Sequence, residues 1–341
     1  MTPKEIEEQI NKTLATIERE REREIISRRF GLFDRKETLE QIGELLGITR
    51  ERVRQLEKSV MARMRSDAEK KAIPGLENFE NVAVTALESI GHVARSNTLA
   101  SNLIGQASSK IETSRVAFLS ELSPGLSLIS ENDHVHQSVA IAKVHDEKSL
   151  HAQVAKIVGA IKELGKPHTI EKIAEAVKHD DPKHIGAVSS TSKHLATLHG
   201  VWGHIKWPTV NPKNIRDKIY VILKQQGKHM HFNEIADAIK GSEFKHKDVT
   251  TQAIHNELIK DSRFVLIGRG IYALKEWGYK KGTVADIIAE VMRTAGEPLH
   301  RDEIVKRVLK SRYVKETTIL LNLQGKPQFQ RVAKATYALA E

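Results

Sequence analysis

The chain has no cysteine, only 5% aromatic residues, and no apolar run long enough to cross a bilayer. Each absence removes a class of function. Without thiols there is no disulfide, no cysteine nucleophile and no thiolate metal site. The polar opening MTPKEIEEQINK lacks the features of a signal peptide, so neither a membrane span nor export is expected. Gly-rich phosphate loops, nucleophile elbows and paired-acid constellations are also missing, and neither enzymatic chemistry nor a cofactor is expected. What the chain does have is charge. It carries 54 Lys/Arg against 44 Asp/Glu, a net +10, in 341 residues that are 40% hydrophobic. That balance fits a soluble globular protein of two or three domains. The positive excess favours a polyanionic partner through counterion release.

The 16 histidines invite a metal reading, above all the pairs His134/His136 and His229/His231. On a strand this spacing puts both rings on one face. No cysteine or clustered carboxylate completes either site, so no metal is expected. Trp202, Trp207 and Trp277 end short β-like runs, where capping a core is the expected role.

The segment TLEQIGELLGITRERVRQLEKSVMARMR, from Thr38, reads as a helix-turn-helix. Leu39, Ile42, Leu45 and Leu46 line one side of a first helix. Gly47 supplies the corner, Ile48 plugs it, and Thr49 N-caps a second helix. Val53, Leu56 and Val60 recur at helical spacing and are expected to face the first helix. Arg50, Glu51, Arg54 and Gln55 then fall on the opposite face as two i,i+4 pairs. Arg suits guanine, Gln suits adenine and Glu accepts from the cytosine amine. Two readings fit: a helix that reads the major groove, or an amphipathic hairpin whose charged face is merely solvated.

The run from Arg19 to Lys71, with RRFGL, TLEQIG and TRERVRQLE, closely resembles region 4 of primary-type bacterial sigma factors. The resemblance implies that Arg50, Glu51, Arg54 and Gln55 touch bases of a minus-35 promoter element. It places Thr38 and Leu39 against phosphates, and Thr49, Arg52 and Lys58 complete the DNA-facing set. It also implies a grip on the flap of the RNA polymerase β subunit. Ile25, Ile26, Phe30 and Leu32 are the apolar candidates for that grip, with core packing the alternative for each. A bacterial cytoplasm is the expected compartment. The resemblance covers about the first fifth of the chain. Nothing beyond it looks like the sigma regions that clamp the polymerase core or melt DNA, so a working sigma factor is not expected.

The remainder repeats. GKPHTIEKIAEAV from Gly165, GKHMHFNEIADAI from Gly227 and GEPLHRDEIVKRV from Gly296 each follow an apolar-periodic helix. Each is followed by two more helices and a β-like run; in the middle copy Gly268 and Gly270 bracket a hairpin turn. Three helices and a two-stranded wing make a winged helix. A degenerate copy precedes them in VAVTALESIGHVARSNTLASNL, SRVAFLSEL and LSLISENDHVHQSVAIA. The expected fold is therefore mainly α, a helix-turn-helix module at 1–73 followed by winged helices at 76–146, 149–208, 212–280 and 282–341. Units of this size are individually globular, so beads on a string are expected.

In the middle copy HMHFNEIADAI, VTTQAIHNELIKDSRF and GIYALKEWG resemble the HARE-type helix-turn-helix domain, a winged helix also found in the delta subunit of RNA polymerase. The last copy matches more loosely through TTILLNLQ and ATYALAE, and the copy before the middle one through its WGHIKWP ending. Thr250, Thr251, Gln252, His255 and Asn256 on the middle copy's third helix, with Arg269 on its wing, suit phosphate and base contacts. Lys315, Thr317, Thr318 and Asn322 are the equivalents in the last copy. A solvated face on a protein-binding domain is the alternative. Residues 210–281 hold 14 Lys/Arg against 8 Asp/Glu, whereas residues 76–147 hold 4 against 9. The acidic first copy is thus expected to be a protein contact or a spacer.

These readings combine in a DNA-binding transcriptional regulator that recognises promoter-like duplex and competes with, or assists, the polymerase's own sigma. Two rivals remain at this stage. One is a delta-like polymerase accessory protein without its own DNA specificity. The other is the DNA-recognition part of a restriction or modification system, acting with a separate catalytic partner.

Overall fold

The computed structural model describes residues 1–244 and 248–340. Residues 245–247 of the expected 212–280 winged helix, and Glu341 of the ATYALAE run, lie outside the described residues. Among the described residues the fold is mainly α, with 57% helix and four small three-stranded antiparallel sheets. The chain divides into two compact units, Met1–Lys206 and Trp207–Glu341.

The first unit opens with α1 (Pro3–Ala15), α2 (Glu20–Phe30), α3 (Leu39–Leu46) and α4 (Arg50–Glu69). The start of α1 is encoded in its polar residues by a capping box. Thr2 Oγ1 accepts from the Glu5 amide at 3.2 Å while Glu5 Oε2 accepts from the Thr2 amide at 2.8 Å. Ile6, Ile10 and Leu14 then bury one stripe.

Helix, short strand, two helices and a wing then follow twice in this unit. The first copy is α5 (Leu76–Ile90), β1 (Val93–Arg95), α6 (Ser96–Ile104), α7 (Lys110–Leu122), β2 (Leu126–Ile129) and β3 (Ser138–Ile141). The second is α8 (Glu147–Leu164), β4 (His168–Thr169), α9 (Ile170–Val177), α10 (Pro182–Thr191), β5 (Leu195–Leu198) and β6 (Val201–His204). The second unit repeats the plan. Its first copy is α11 (Ile215–Gln226), β7 (Met230–His231), α12 (Phe232–Lys240), α13 (Thr251–Lys260), β8 (Phe264–Gly268) and β9 (Ile271–Leu274). The last is α14 (Val284–Ala295), β10 (Leu299–His300), α15 (Arg301–Ser311), α16 (Glu316–Gly325), β11 (Phe329–Ala333) and β12 (Thr336–Leu339).

The repeated glycines Gly165, Gly227 and Gly296 C-cap α8, α11 and α14 in the left-handed region. In every copy the short strand pairs antiparallel with the last strand. The orders are therefore β1-β3-β2, β4-β6-β5, β7-β9-β8 and β10-β12-β11.

The bead-on-a-string expectation does not hold in the first unit. One apolar core joins α1, α2 and α4 to the first winged helix. Ile6, Ile26, Leu32, Met64, Phe79, Leu87, Leu99, Phe118 and Leu119 in it are no more than 1% exposed. Each such side chain contributes about 1.5–3 kcal/mol of burial. In the second unit the last copy keeps a core of its own, from Ile287 and Ile288 to Leu323 and Tyr337.

Candidate nucleic-acid interface

The helix-turn-helix is built from the caps inward. Thr38 N-caps α3 with a reciprocal box. Its Oγ1 accepts from the Gln41 amide at 3.3 Å, and Gln41 Oε1 accepts from the Thr38 amide at 2.9 Å. Gly47 ends α3 at φ +65°, a conformation that penalises any side chain. Gly43, inside α3 where spacing gives no special signal, matters as much. A Cβ there would lie 2.7 Å from the Ile48 carbonyl oxygen, so only glycine lets the corner close. Thr49 Oγ1 then accepts from the Arg52 amide at 3.2 Å and starts α4.

Ile25, Ile42 and Val53 meet at full burial between α2, α3 and α4, with Leu39, Leu46, Ile48 and Leu56 packed around them. Two expected packings differ. Leu45 is 55% exposed, because an eight-residue helix turns only the stripe of Leu39, Ile42 and Leu46 to its partner. Val60 is buried, but in the larger core farther along α4 rather than against α3.

That packing fixes which side of α4 faces water. Arg50, Glu51, Arg52, Arg54, Gln55 and Lys58 are all exposed. The two i,i+4 pairs do share this outward face, and the shortest contact on it is an i,i+3 fork. Arg54 Nε and Nη2 each donate to a Glu51 carboxylate oxygen at 2.8 Å. Gln55 Nε2 approaches Glu51 Oε1 at 3.4 Å, and Arg52 Nη1 approaches Gln55 Oε1 at 3.4 Å. The Arg54 hydrogen bonds hold the Glu51 carboxyl below its ordinary range and push Arg54 up, so both are ionised at neutral pH. An ion pair this exposed is worth little in water. Arg54 can exchange its fork on Glu51 for the paired acceptors of a guanine at small cost.

Cross-helix ion pairs brace the back of α4. Arg63 reaches Glu22 at 2.6 Å and Arg29 reaches Glu57 at 3.3 Å. Arg21 Nη2 donates to the Leu46 carbonyl at 2.5 Å and ties α2 to the corner. Sequence spacing carries no signal for pairs made between helices.

Three of the four apolar flap candidates are buried, and the fourth is half-buried. Ile25, Ile26 and Leu32 are fully buried, and Phe30 packs into the core at 4.9 Å from the ring of Phe118. Core packing, the alternative reading, is what the structure has for Ile25, Ile26 and Leu32.

Among the winged-helix candidates, Thr250 N-caps α13, accepting from the Ala253 amide at 3.3 Å. Gln252 and Asn256 are exposed and bonded to each other at 3.1 Å, while Thr251 is half-buried. Arg269 is exposed at the tip between β8 and β9. His255 departs from the outward placement: its ring wedges half-buried between Phe232, 5.0 Å away, and Tyr272, 6.1 Å away. In the last copy Lys315 and Thr317 are exposed, while Thr318 and Asn322 are half-buried, with Asn322 Nδ2 donating to the Thr318 carbonyl at 2.8 Å. The histidine pairs part company in the structure. His134 Nδ1 meets His194 Nε2 at 2.9 Å, and His231 N-caps α12. Among the described residues no three metal-binding side chains converge.

A capped two-helix corner with a polar, exposed second helix is the geometry of a DNA-binding helix-turn-helix. Residues 19–66 match the family Sigma-70, region 4. Three similar proteins are sigma factors. RNA polymerase sigma factor SigA of Bacillus sp is 39% identical over 69 residues, 20% of this chain and 18% of that protein. RNA polymerase sigma factor RpoD of Helicobacter pylori is 53% identical over 49 residues, 14% of this chain and 7% of that protein. RNA polymerase sigma factor RpoS of Coxiella burnetii is 38% identical over 74 residues, 21% of each chain. The likeness thus spans about a fifth or less of these relatives.

Proposed function

We propose that this protein is a sequence-specific, DNA-binding transcriptional regulator of the bacterial cytoplasm that reads a minus-35-like promoter element with α4. The observation that carries the reading is the division of that helix. Val53 and Leu56 lock one side against α2 and α3, while Arg50, Glu51, Arg54 and Gln55 stand exposed on the other. In this reading those four contact base edges. The α3 N-terminus at Thr38 and Leu39, together with Thr49, Arg52 and Lys58, contacts phosphates. The HARE-like middle winged helix adds backbone contacts through Thr250, Thr251, Gln252, Asn256 and Arg269. His255 contributes packing rather than contact. The burial of Ile26 and Leu32 argues against a polymerase grip through those two side chains, while Phe30 stays half-buried; a contact with RNA polymerase through other residues of the module stays part of this reading.

The test is fluorescence anisotropy of the full chain on a consensus minus-35 duplex and on its scramble. We expect a preference of about tenfold or more. Arg54→Ala should remove about 1–3 kcal/mol of it. Equal binding to both duplexes, unchanged by the substitution, overturns base reading by α4.

A further inference from the structure

The four third helices of the winged-helix copies differ in what they face. In the second unit they are largely open, with only Ile254 and Leu258 of α13 and Ile319 and Leu323 of α16 buried. In the first copy the third helix is turned inward. Arg115, Val116, Ala117, Phe118, Leu119, Ser120 and Leu122 of α7 are all buried. They lie against α1, α2 and α4 in the common core. Arg65 of α4 reaches Glu121 of α7 at 2.6 Å.

Arg115 stands at the centre of this contact and is 7% exposed. Its Nε donates to the Leu32 carbonyl at 2.7 Å and its Nη1 to Glu7 Oε2 at 3.0 Å, with the guanidinium 5.4 Å from the centre of the Phe33 ring. A guanidinium this deep is costly unless its donors are satisfied, so these partners hold it in one place. Leu32 and Phe33 begin the segment that runs from the end of α2 to Thr38, the N-cap of α3. The same segment is held from the other side, where Arg28 pairs with Glu37 at 2.9 Å.

We infer that the first winged helix is the positioning frame of the reading helix rather than a nucleic-acid binder, and that Arg115 is the positioning residue at its centre. This rests on the proposal that α4 reads DNA. The charge of the segment agrees, since residues 76–147 carry 4 Lys/Arg against 9 Asp/Glu and repel phosphate. The physical link is geometric. Arg115 fixes the segment that sets the start of α3, α3 sets the corner, and α7 backs α4. Bidentate hydrogen bonds to bases weaken steeply with misalignment, so a loosened corner loses discrimination before it loses phosphate contacts.

The experiment compares the full-length wild type with Arg115→Lys and Arg115→Ala. It measures the affinity ratio for minus-35 and scrambled duplexes, the salt slope, and amide exchange across residues 31–38 in the free protein. Arg115→Ala should lower the ratio about tenfold. Its salt slope should stay at the wild-type value because no phosphate contact is removed. Amides 31–38 should exchange faster, with Arg115→Lys between the two. Should Arg115→Ala fail to fold, Phe33→Ala removes the ring beside the guanidinium from a position 44% exposed and carries the same test. An unchanged ratio with unchanged exchange overturns the inference, and so does a reduced salt slope. If the wild type itself shows no preference, base reading by α4 has failed. The exchange arm then still decides whether Arg115 holds the corner.

Discussion

The two units use one supersecondary plan to opposite ends. In the first unit the third helices α7 and α10 are packed away, with His184, Ile185, Ala187, Val188, Ser189 and Thr191 of α10 joining the buried set of α7. In the second unit α13 and α16 bury only two residues each. A winged helix is therefore not a nucleic-acid binder by virtue of its fold. What differs between the units is whether the third helix keeps a polar face in water. KIETSRVAFLSEL is apolar on several sides and has to be covered, whereas TQAIHNELIK has one apolar stripe and remains open.

Truncating the covered helix should have the largest effect. Phe118→Ala opens a hole at a site with no exposure, and the first unit should lose about 3–5 kcal/mol in a denaturant titration. The matching change in the second unit, Leu321→Ala on α16, removes a side chain that is 67% exposed and should move stability by no more than about 0.5 kcal/mol. Similar losses at both positions would erase the distinction between the units.

Acid should separate the units next. His145 Nε2 lies 3.2 Å from His184 Nε2, where the start of α8 meets α10, and His184 Nδ1 lies 2.9 Å from the Gly91 carbonyl. The rings of His179 and His92 stand 5.0 and 5.8 Å from His184. Burial, and then the neighbouring imidazoles, push His145 down from 6.5 to about 4; Asp146 pulls weakly the other way. Burial also lowers His184, against the opposing pull of the Gly91 carbonyl and Asp181. Both rings are therefore neutral when packed and protonate more readily when unpacked. The packing of α8–α10 is at full strength above about pH 6.5. It should lose about 2 kcal/mol as the pH falls toward 4. Amide exchange of these helices at pH 7 and pH 5 measures the loss. His145→Gln should flatten the dependence. The described histidines of the second unit are at most half-buried, and none of them stacks in a buried cluster like that of His145 and His184.

The smallest effect is expected at the wing tip. Arg269→Ala should weaken binding to specific and scrambled duplexes equally, by about 0.5–1 kcal/mol, and lower the salt slope by about one. A change in the specificity ratio would move base reading from α4 to this wing.

Much of this architecture was legible in the residues. Gly47 and Thr49 marked the helix-turn-helix corner, and the repeated glycine phrases marked three of the winged helices. The weak match over 82–142 proved to be a full helix-strand-helix-helix-wing unit. What escaped was set by long-range packing. Nothing near Arg115 says that its partners are Glu7 and Leu32, and nothing in the RERERE run says which of its charges will reach α4. Leu45 points outward, and His255 sits half-buried beside Phe232 and Tyr272, for the converse reason. Periodicity assigns a face, but the neighbouring helix decides how wide the buried face is. The Thr2/Glu5 box that starts α1 is legible in the sequence, but stands among polar residues that carry no apolar periodicity of their own.

Amide exchange of the full chain with and without a minus-35 duplex tests the central division most directly. Protection is expected across residues 38–58, weaker protection around 250–256 and at Arg269, and none attributable to DNA in α7 or α10. Protection of α7 or α10 with residues 38–58 unchanged would contradict the account, because it would put the DNA on helices whose faces are packed away.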